Sequence, residues 1–290
     1  MAKLKATLPF RTVRNRHDNA VWFWQQWRVR RAIDEAFRAT TPLELDSAIV
    51  LEGSWPTAAD PRPLVLAASD ERYFERFGVH LACSSAARSP ATRLHLHLYD
   101  PSPAAIEAAA ALTAQSGGRL TISHEGPSRN PFGKPESFYF AAGRFAIAAR
   151  LRRELIAPIM MVDADGLIAN DLIAGFDALA GHDAGFILQP DNAARYRRIL
   201  ASAVYLGPGS ADFFTRLADG IGLALRQRGH YHVDQLGIHY ALQRRGALGV
   251  TALGLEWSDY RFAPDSLIWS AKGARKGQYE ALLAASAASG

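Results

Sequence analysis

Two carboxylates, Asp163 and Asp165, stand two residues apart behind the apolar run Ile159-Met160-Met161-Val162, and apolar residues resume at Leu167 and Ile168. Side chains at i and i+2 of an extended segment share a face, so the pair offers a hard divalent cation adjacent oxygen ligands of the kind Mg²⁺ and Mn²⁺ take. Without a cation, two such charges repel. The plain alternative is a solvated turn at a strand end. The unbroken apolar run in front of the pair favours a strand covered on both faces, and ligands of open parallel sheets gather outside the carboxyl ends of such strands.

Other residues add chemistry around this pair. Asp70 and Tyr73 follow the short apolar run Leu64-Val65-Leu66-Ala67-Ala68, which as the first strand of an α/β sheet delivers both to the ligand edge. Asp234 and Gln235 open a helical stretch, where an Asp serves as a helix N-cap, as a site carboxylate or as both. Lys272 and Lys276 read either as a solvated basic tail or as cations that meet a phosphate. His95 and His97 lie i, i+2 on one face of the alternating run Arg93-Leu94-His95-Leu96-His97-Leu98-Tyr99, with no Cys, Asp or Glu beside them to complete a zinc site.

A DxD at a strand end occurs in two enzyme classes. In haloacid-dehalogenase phosphatases the first Asp of DxDG is the nucleophile, and Asp163-Ala164-Asp165-Gly166 fits that local pattern. In GT-A glycosyltransferases the pair holds a metal against the diphosphate of a nucleotide sugar. The phosphatase class needs a later Lys and a second acidic motif, and neither Asp212, Asp219 nor Asp259 sits in one.

The chain that must position these groups has 290 residues, 49% hydrophobic and 21% charged, enough for one large domain with an extension. A single cysteine, Cys83, excludes an intramolecular disulfide framework and points to a reducing, cytoplasmic compartment. No apolar run approaches the roughly 18 to 20 residues of a membrane span, and the amino terminus lacks the apolar core of a signal peptide. Net charge is +5, and residues 1–40 hold nine Lys or Arg against three acidic residues. Trp22, Phe23, Trp24 and Trp27 interleave with those cations. Such an end suits peripheral contact with an anionic membrane, a nucleic acid or a partner protein; the plain alternative is a helix whose aromatics pack on the main domain. No nucleic-acid motif supports a nucleic-acid partner.

Val21, Trp24, Arg28, Arg31 and Glu35 follow helical spacing, predicting a helix over 20–39 that ends at Thr40-Thr41-Pro42. A Pro-rich connector from 54 to 63 places the boundary near 62, giving a basic extension over 1–61 and a main domain over 62–290. Strands are predicted at 63–68, 93–99, 120–123, 159–162, 184–188 and 201–206. Helices are predicted at 104–115, behind Ser102-Pro103, at 137–157 and over 170–181. Two more run from a Ser210 cap to Gly229 and from Val233 to Gly246. Strand, helix, strand at this spacing is a βαβ unit, so the sheet is mostly parallel.

With these landmarks placed, residues 64–277 resemble the retaining GT-A glycosyltransferases of the glycogenin and bacterial lipooligosaccharide galactosyltransferase type. Ala68-Ser69-Asp70-Glu71-Arg72-Tyr73 looks like that family's Ala-Ala-Asp-Asp-Asn-Tyr, and Ala142-Gly143-Arg144-Phe145 is similar to its Tyr-Ala-Arg-Leu. Met161-Val162-Asp163-Ala164-Asp165 matches its Tyr-Leu-Asp-x-Asp, and Val233-Asp234-Gln235 its Asp-Gln pair. Ser270-Ala271-Lys272-Gly273-Ala274-Arg275-Lys276 resembles its carboxyl-terminal His-Phe-x-Gly-x-x-Lys. The resemblance departs at Ser270, where the family has a metal-binding His, at Arg72, where it has Asn, and at Ala201-Ser202-Ala203, where it has Asn-Ala-Gly.

The resemblance implies a Rossmann-like, mostly parallel sheet flanked by helices. It also implies transfer of a sugar from a nucleotide-diphosphate donor, a UDP-sugar foremost, to a glycan, lipid or protein hydroxyl. Asp163 and Asp165 would hold Mn²⁺ or Mg²⁺, and Asp70, Arg72, Tyr73, Arg144, Lys272, Gly273 and Lys276 would bind the donor. Asp234 and Gln235 would lie beneath the donor sugar. The alternative within the same fold is a non-catalytic nucleotide-sugar-binding relative.

Overall fold

The computed structural model describes residues 13–45, 49–126, 136–189, 191–192, 198–227, 232–271, 277 and 279. The strands are β1 (Leu51–Gly53), β2 (Leu64–Asp70), β3 (Arg93–Tyr99), β4 (Leu120–Glu125) and β5 (Ile159–Val162), then β6 (Gly166–Ile168), β7 (Ala184–Leu188), β8 (Ile199–Leu206), β9 (Val250–Leu253) and β10 (Ile268–Ser270). Among the described residues eight of them form one mixed sheet in the order β1-β4-β3-β2-β5-β8-β7-β9, and β6 pairs with β10 in a separate ribbon. β4, β3, β2 and β5 run parallel, β8 is antiparallel to both its neighbours, and β9 is parallel to β7. The mostly parallel α/β sheet expected from the sequence is the one that forms.

Each crossover follows from local chemistry. After β2 the chain turns into α2 (Glu71–Tyr73), opens into a π turn over Phe74–Gly78 and continues as α3 (Val79–Arg88) before β3. α4 (Pro103–Gln115) starts behind Ser102, whose side chain accepts from the Ala105 N–H at 3.2 Å, as a serine N-cap followed by proline should. The middle of α5 (Glu136–Glu154), from Tyr139 to Ala149, is apolar but for Arg144, and Phe145, Ile147, Ala148, Ala149 and Leu151 are all buried. A helix of that composition belongs inside, and it packs on α7 (Ala211–Arg226) and on the sheet. α6 (Ile173–Ala178) and α8 (Val233–Ala241) complete the helices.

Three local expectations change. β3 does not present a polar face to water, because all seven of its residues are buried. His95 meets Thr121 Oγ1 at 2.9 Å and Ser123 Oγ at 3.0 Å, and His97 Nδ1 lies 3.0 Å from the same Ser123 hydroxyl. Burial pushes His95 down to about 3, so the imidazole is neutral and serves as a core hydrogen-bonding group. Ser210 holds the N-cap position of α7 as expected but makes no side-chain cap bond; its hydroxyl donates to the Gly207 carbonyl at 2.7 Å and closes the preceding turn. Asp234 is not the cap of α8, since His232 holds that position and Asp234 lies inside the first turn.

The amino-terminal helix α1 (Val13–Arg38) begins earlier than its spacing suggested and ends where expected. Its core face is not the stripe through Trp24, Arg28 and Arg31. Val29, Ala32, Ile33 and Ala36 are the buried residues, and they pack on α7 and α8. Small side chains win because the helices approach closely: a Cβ at Gly220 would come within 2.5 Å of Ile33 Cδ1. Phe23, Trp24 and Trp27 are exposed, so these aromatics do not pack on the main domain. Lys3, Lys5 and Arg11 lie outside the described residues.

Polar contacts fix the end of α1. Arg216 donates to the Ala36 and Ala39 carbonyls at 3.1 and 2.8 Å. The buried Asp219 carboxylate accepts the N–H groups of Leu43, Glu44 and Leu45 at 2.8, 3.2 and 2.8 Å. Glu44 is held there at a positive φ of 50°. Asp219→Ala would leave three donors without that acceptor, and urea melts should show a loss of about 2–3 kcal/mol. A loss below about 0.5 kcal/mol, the range of ordinary surface changes, would mean water replaces the carboxylate at no cost.

Candidate active site

The turn carrying Asp163 and Asp165 is held from both sides. The Asp163 N–H donates to the Ser202 carbonyl of β8 at 3.2 Å, and the Asp163 carbonyl accepts from Gly166 N–H at 3.0 Å. A Cβ at Gly166 would sit 3.1 Å from that carbonyl, so glycine suits the tight return. On the far side β10 pairs antiparallel with β6, setting Ser270 opposite Gly166, and the Ala271 N–H donates to the Asp165 carbonyl at 3.1 Å. Ser270 therefore lies beside the DxD turn, where the resemblance puts a His. Its hydroxyl is buried and lies 2.9 Å from Ser258 Oγ.

Arg144 joins the separate carboxylates. It projects from the buried middle of α5 with 7% of its surface exposed. One terminal nitrogen is hydrogen-bonded to Asp163 Oδ1. The other donates to the Ala201 carbonyl at 2.8 Å and stands 3.7 Å from Asp234 Oδ2. The planar guanidinium presents donors in several directions at once, which a lysine ammonium on one stem cannot match. Gly143, the preceding residue, lets Tyr99 approach, since a Cβ there would lie 3.1 Å from the Tyr99 hydroxyl.

This arrangement changes the electrostatic expectation for the DxD. The sequence suggested two mutually repelling carboxylates, but Asp163 is answered by Arg144. The Asp163 side chain keeps 36% exposure, so the pair is only partly removed from water. Asp234 is buried, and burial raises its carboxyl to about 6. Arg144 and the Gln235 N–H, 2.8 Å from Asp234 Oδ1, oppose that rise, while the charge of Asp163 adds to it. The result is a buried acid that holds its proton above the usual carboxylate range.

The structure brings Asp70, Tyr73, Asp163, Asp165, Arg144, Asp234 and Gln235 to neighbouring elements. β2 and β5 are adjacent and parallel, with Leu66 opposite Met161, so Asp70 and the DxD leave the same edge of the sheet. Asp70 Oδ1 accepts from the Tyr73 N–H at 2.8 Å, which fixes the turn into α2. Arg72 is exposed on that turn, and Tyr73 lies against Phe77 with ring centroids 5.4 Å apart. Lys272, Gly273 and Lys276 lie outside the described residues. Among the described residues no three His, Cys, Asp or Glu are grouped to hold a cation. Sequence reasoning missed Tyr99 and Ser258, because each meets the site only through contacts far apart in the chain.

No protein-family model matches the chain, and no curated protein matches it. Solved structures do. The apo structure of WbbM, a bifunctional glycosyltransferase, superposes with a TM-score of 0.50 at 12% identity over 80% of this chain and 45% of that one. The glycosyltransferase GlyE of Streptococcus pneumoniae TIGR4 superposes with a TM-score of 0.52 at 13% identity over 76% of this chain and 60% of that one. The chain thus spans less than two thirds of either relative. The likeness shows the fold, that of the GT-A glycosyltransferases.

Proposed function

We propose that this protein is a glycosyltransferase that moves a sugar from a nucleotide-diphosphate donor, a UDP-sugar foremost, to an acceptor hydroxyl, with retention at the sugar carbon. The supporting observation is Arg144 set between Asp163 and Asp234 at the ligand edge of a GT-A sheet. In this reading Asp70 and Tyr73 take the nucleoside, Arg72, Arg144, Lys272, Gly273 and Lys276 the diphosphate, and Asp234 with Gln235 the donor sugar.

The donor set at the DxD turn suits Mg²⁺ or Mn²⁺. Asp163 and Asp165 offer hard carboxylate oxygens and are only partly buried, and a hard cation accepts phosphate oxygens and water for the remainder. Asp163 and Asp165 would hold such a cation, and its charge would offset that of a departing diphosphate. The chain's own part is positioning: Arg144 orients Asp163 and faces Asp234, and the ionised Asp234 answers positive charge developing on the sugar. Ser270 brings a hydroxyl in place of an imidazole, so metal binding without nucleotide is weak and Mn²⁺ preference slight. Cys83 suits a reducing compartment, and we place the enzyme in the cytoplasm.

The test is a thermal-shift and donor-hydrolysis panel of nucleotide sugars with and without Mg²⁺ or Mn²⁺. A nucleotide sugar plus cation should raise the melting temperature and be turned over, since a ligand bound only by the folded state stabilises it. Asp163→Asn and Asp165→Asn should each weaken donor binding about tenfold or more through the lost carboxylate charge. If no nucleotide sugar raises the melting temperature with either cation, the transferase reading fails.

A further inference from the structure

We propose that the outer face of α1 is a docking surface for an anionic lipid bilayer, set so that the sugar-transfer site lies against the headgroups. α1 carries two apolar faces. The inner one, centred on Val29, Ala32, Ile33 and Ala36, is covered by α7 and α8. At 100° per residue Phe23, Trp24 and Trp27 fall on the opposite side of the helix. They are 66%, 56% and 43% exposed, and Trp24 and Trp27 meet edge to face with centroids 5.6 Å apart. Large aromatics grouped on a surface and rimmed by polar residues mark an interaction site.

The rim identifies the partner. Arg31 stands over the Trp27 ring at 5.6 Å, and the Arg30 and Arg38 side chains are 57% and 74% exposed. Asp34 binds Arg244 at 2.8 Å and stands 3.9 Å from both Arg30 and Arg38, and Glu35 is exposed on the same face, so Arg30, Arg31, Arg38 and Arg244 outnumber two carboxylates and the face stays net positive. An open groove of 640 Å³ runs along this face between Trp27 and Arg38. Tryptophan and phenylalanine amid arginine is the composition of helices that lie in the interface plane, rings at headgroup depth and cations toward lipid phosphate. No described helix is long and apolar enough to cross a membrane, so such contact is peripheral.

The placement gives the contact a purpose, and that part rests on the transferase reading. α1 lies antiparallel along α7: Arg216, in the first half of α7, meets Ala36 and Ala39, while Arg28 donates to the carbonyl of Gln227, just past its end. The turn bearing Phe23, Trp24 and Trp27 therefore sits at the end of α7 from which the chain proceeds to Asp234. An acceptor carried on a lipid in that bilayer would be presented to the site from the docked side.

Cosedimentation of the full chain with phosphatidylcholine vesicles, with and without phosphatidylglycerol, tests this. Binding should require the anionic lipid and weaken with salt, because exposed charges are screened beyond about 8 Å at physiological ionic strength. Trp24→Ala/Trp27→Ala should bind about tenfold more weakly, since interfacial binding scales with buried apolar area. Its melting temperature should hold, as both rings are exposed. Arg30→Gln/Arg31→Gln provides a second variant that leaves every ring in place and should also lose anionic selectivity. Binding that is absent, indifferent to phosphatidylglycerol or equal in wild type and both variants overturns the proposal. So does binding to single-stranded RNA with none to vesicles. Donor hydrolysis, run without vesicles, separates the outcomes: intact hydrolysis with failed docking removes only the docking surface.

Discussion

Arg144→Met is expected to cost the fold about 3–5 kcal/mol and donor turnover at least about 10²- to 10³-fold. Methionine fills much of the volume, so packing is largely kept and the loss is electrostatic. Without the guanidinium, the buried Asp234 faces Asp163 with no cation between them, and the Ala201 carbonyl loses its donor. A buried ion pair broken from one side is costly because the remaining charge stays desolvated, whatever the net worth of the intact pair. Part of the strain is relieved by protonating Asp234, so the stability deficit should shrink toward acidic pH. Arg144→Lys keeps the charge but loses the planar fork, and should recover more stability than turnover. Urea melts and donor hydrolysis on both variants check this. A methionine variant as stable as wild type would mean the guanidinium is structurally idle.

Asp234→Asn is expected to lower turnover by about 10² or more while changing the pH dependence of stability. The folded-state carboxyl is raised from 3.8 to about 6, chiefly by burial. A raised acid holds its proton more tightly in the folded state, so its contribution is full below about pH 4 and is lost as pH rises through about 6. Asparagine does not titrate. The stability of wild type relative to the variant should therefore fall across that window, by up to about 3 kcal/mol for a shift of roughly two units. Other carboxylates are common to both proteins and cancel in the difference. Turnover by wild type should rise with an acid limb near pH 6, as Asp234 ionises, and that limb should be absent in Asp234→Asn. Parallel stability curves for the two proteins would remove Asp234 as a titrating group.

The parts of this molecule legible in the sequence were those set by neighbours in the chain. Ser102 before Pro103 predicted α4, and the run Ile159–Val162 predicted a covered strand ending at the DxD. The parts that were not legible depend on partners far away. The histidine face of β3 looks solvent-facing until β4 supplies Thr121 and Ser123 to pair with it. Helical spacing in α1 has two apolar solutions, and the sequence offers no reason to prefer alanines over tryptophans until Gly220 shows how close α7 comes. At the site, Asp163, Asp165, Arg144 and Asp234 were all named, but the guanidinium between two carboxylates joins α5, the DxD turn and α8 and carries no local signature. The β6–β10 ribbon was missed because three-residue strands show no periodicity.

That ribbon and the seat of α1 also fix an order of events during synthesis. The Arg216 contact that closes the end of α1 spans 180 residues, and the Asp219 contacts that follow span 174 to 176. The DxD turn gains the Ala271 N–H only after the chain has grown more than a hundred residues past Asp165. A ribosome adds about 5–20 residues per second, so α1 leaves the exit tunnel roughly ten seconds or more before its inner partner exists. Through that interval the nascent chain shows water an apolar stripe on each side of one helix. Contacts this distant in sequence also make for slow folding once the chain is complete. Expression yield of the full chain should accordingly respond to hydrophobic holdase chaperones, and the DxD turn should be the last part of the molecule to acquire its native form.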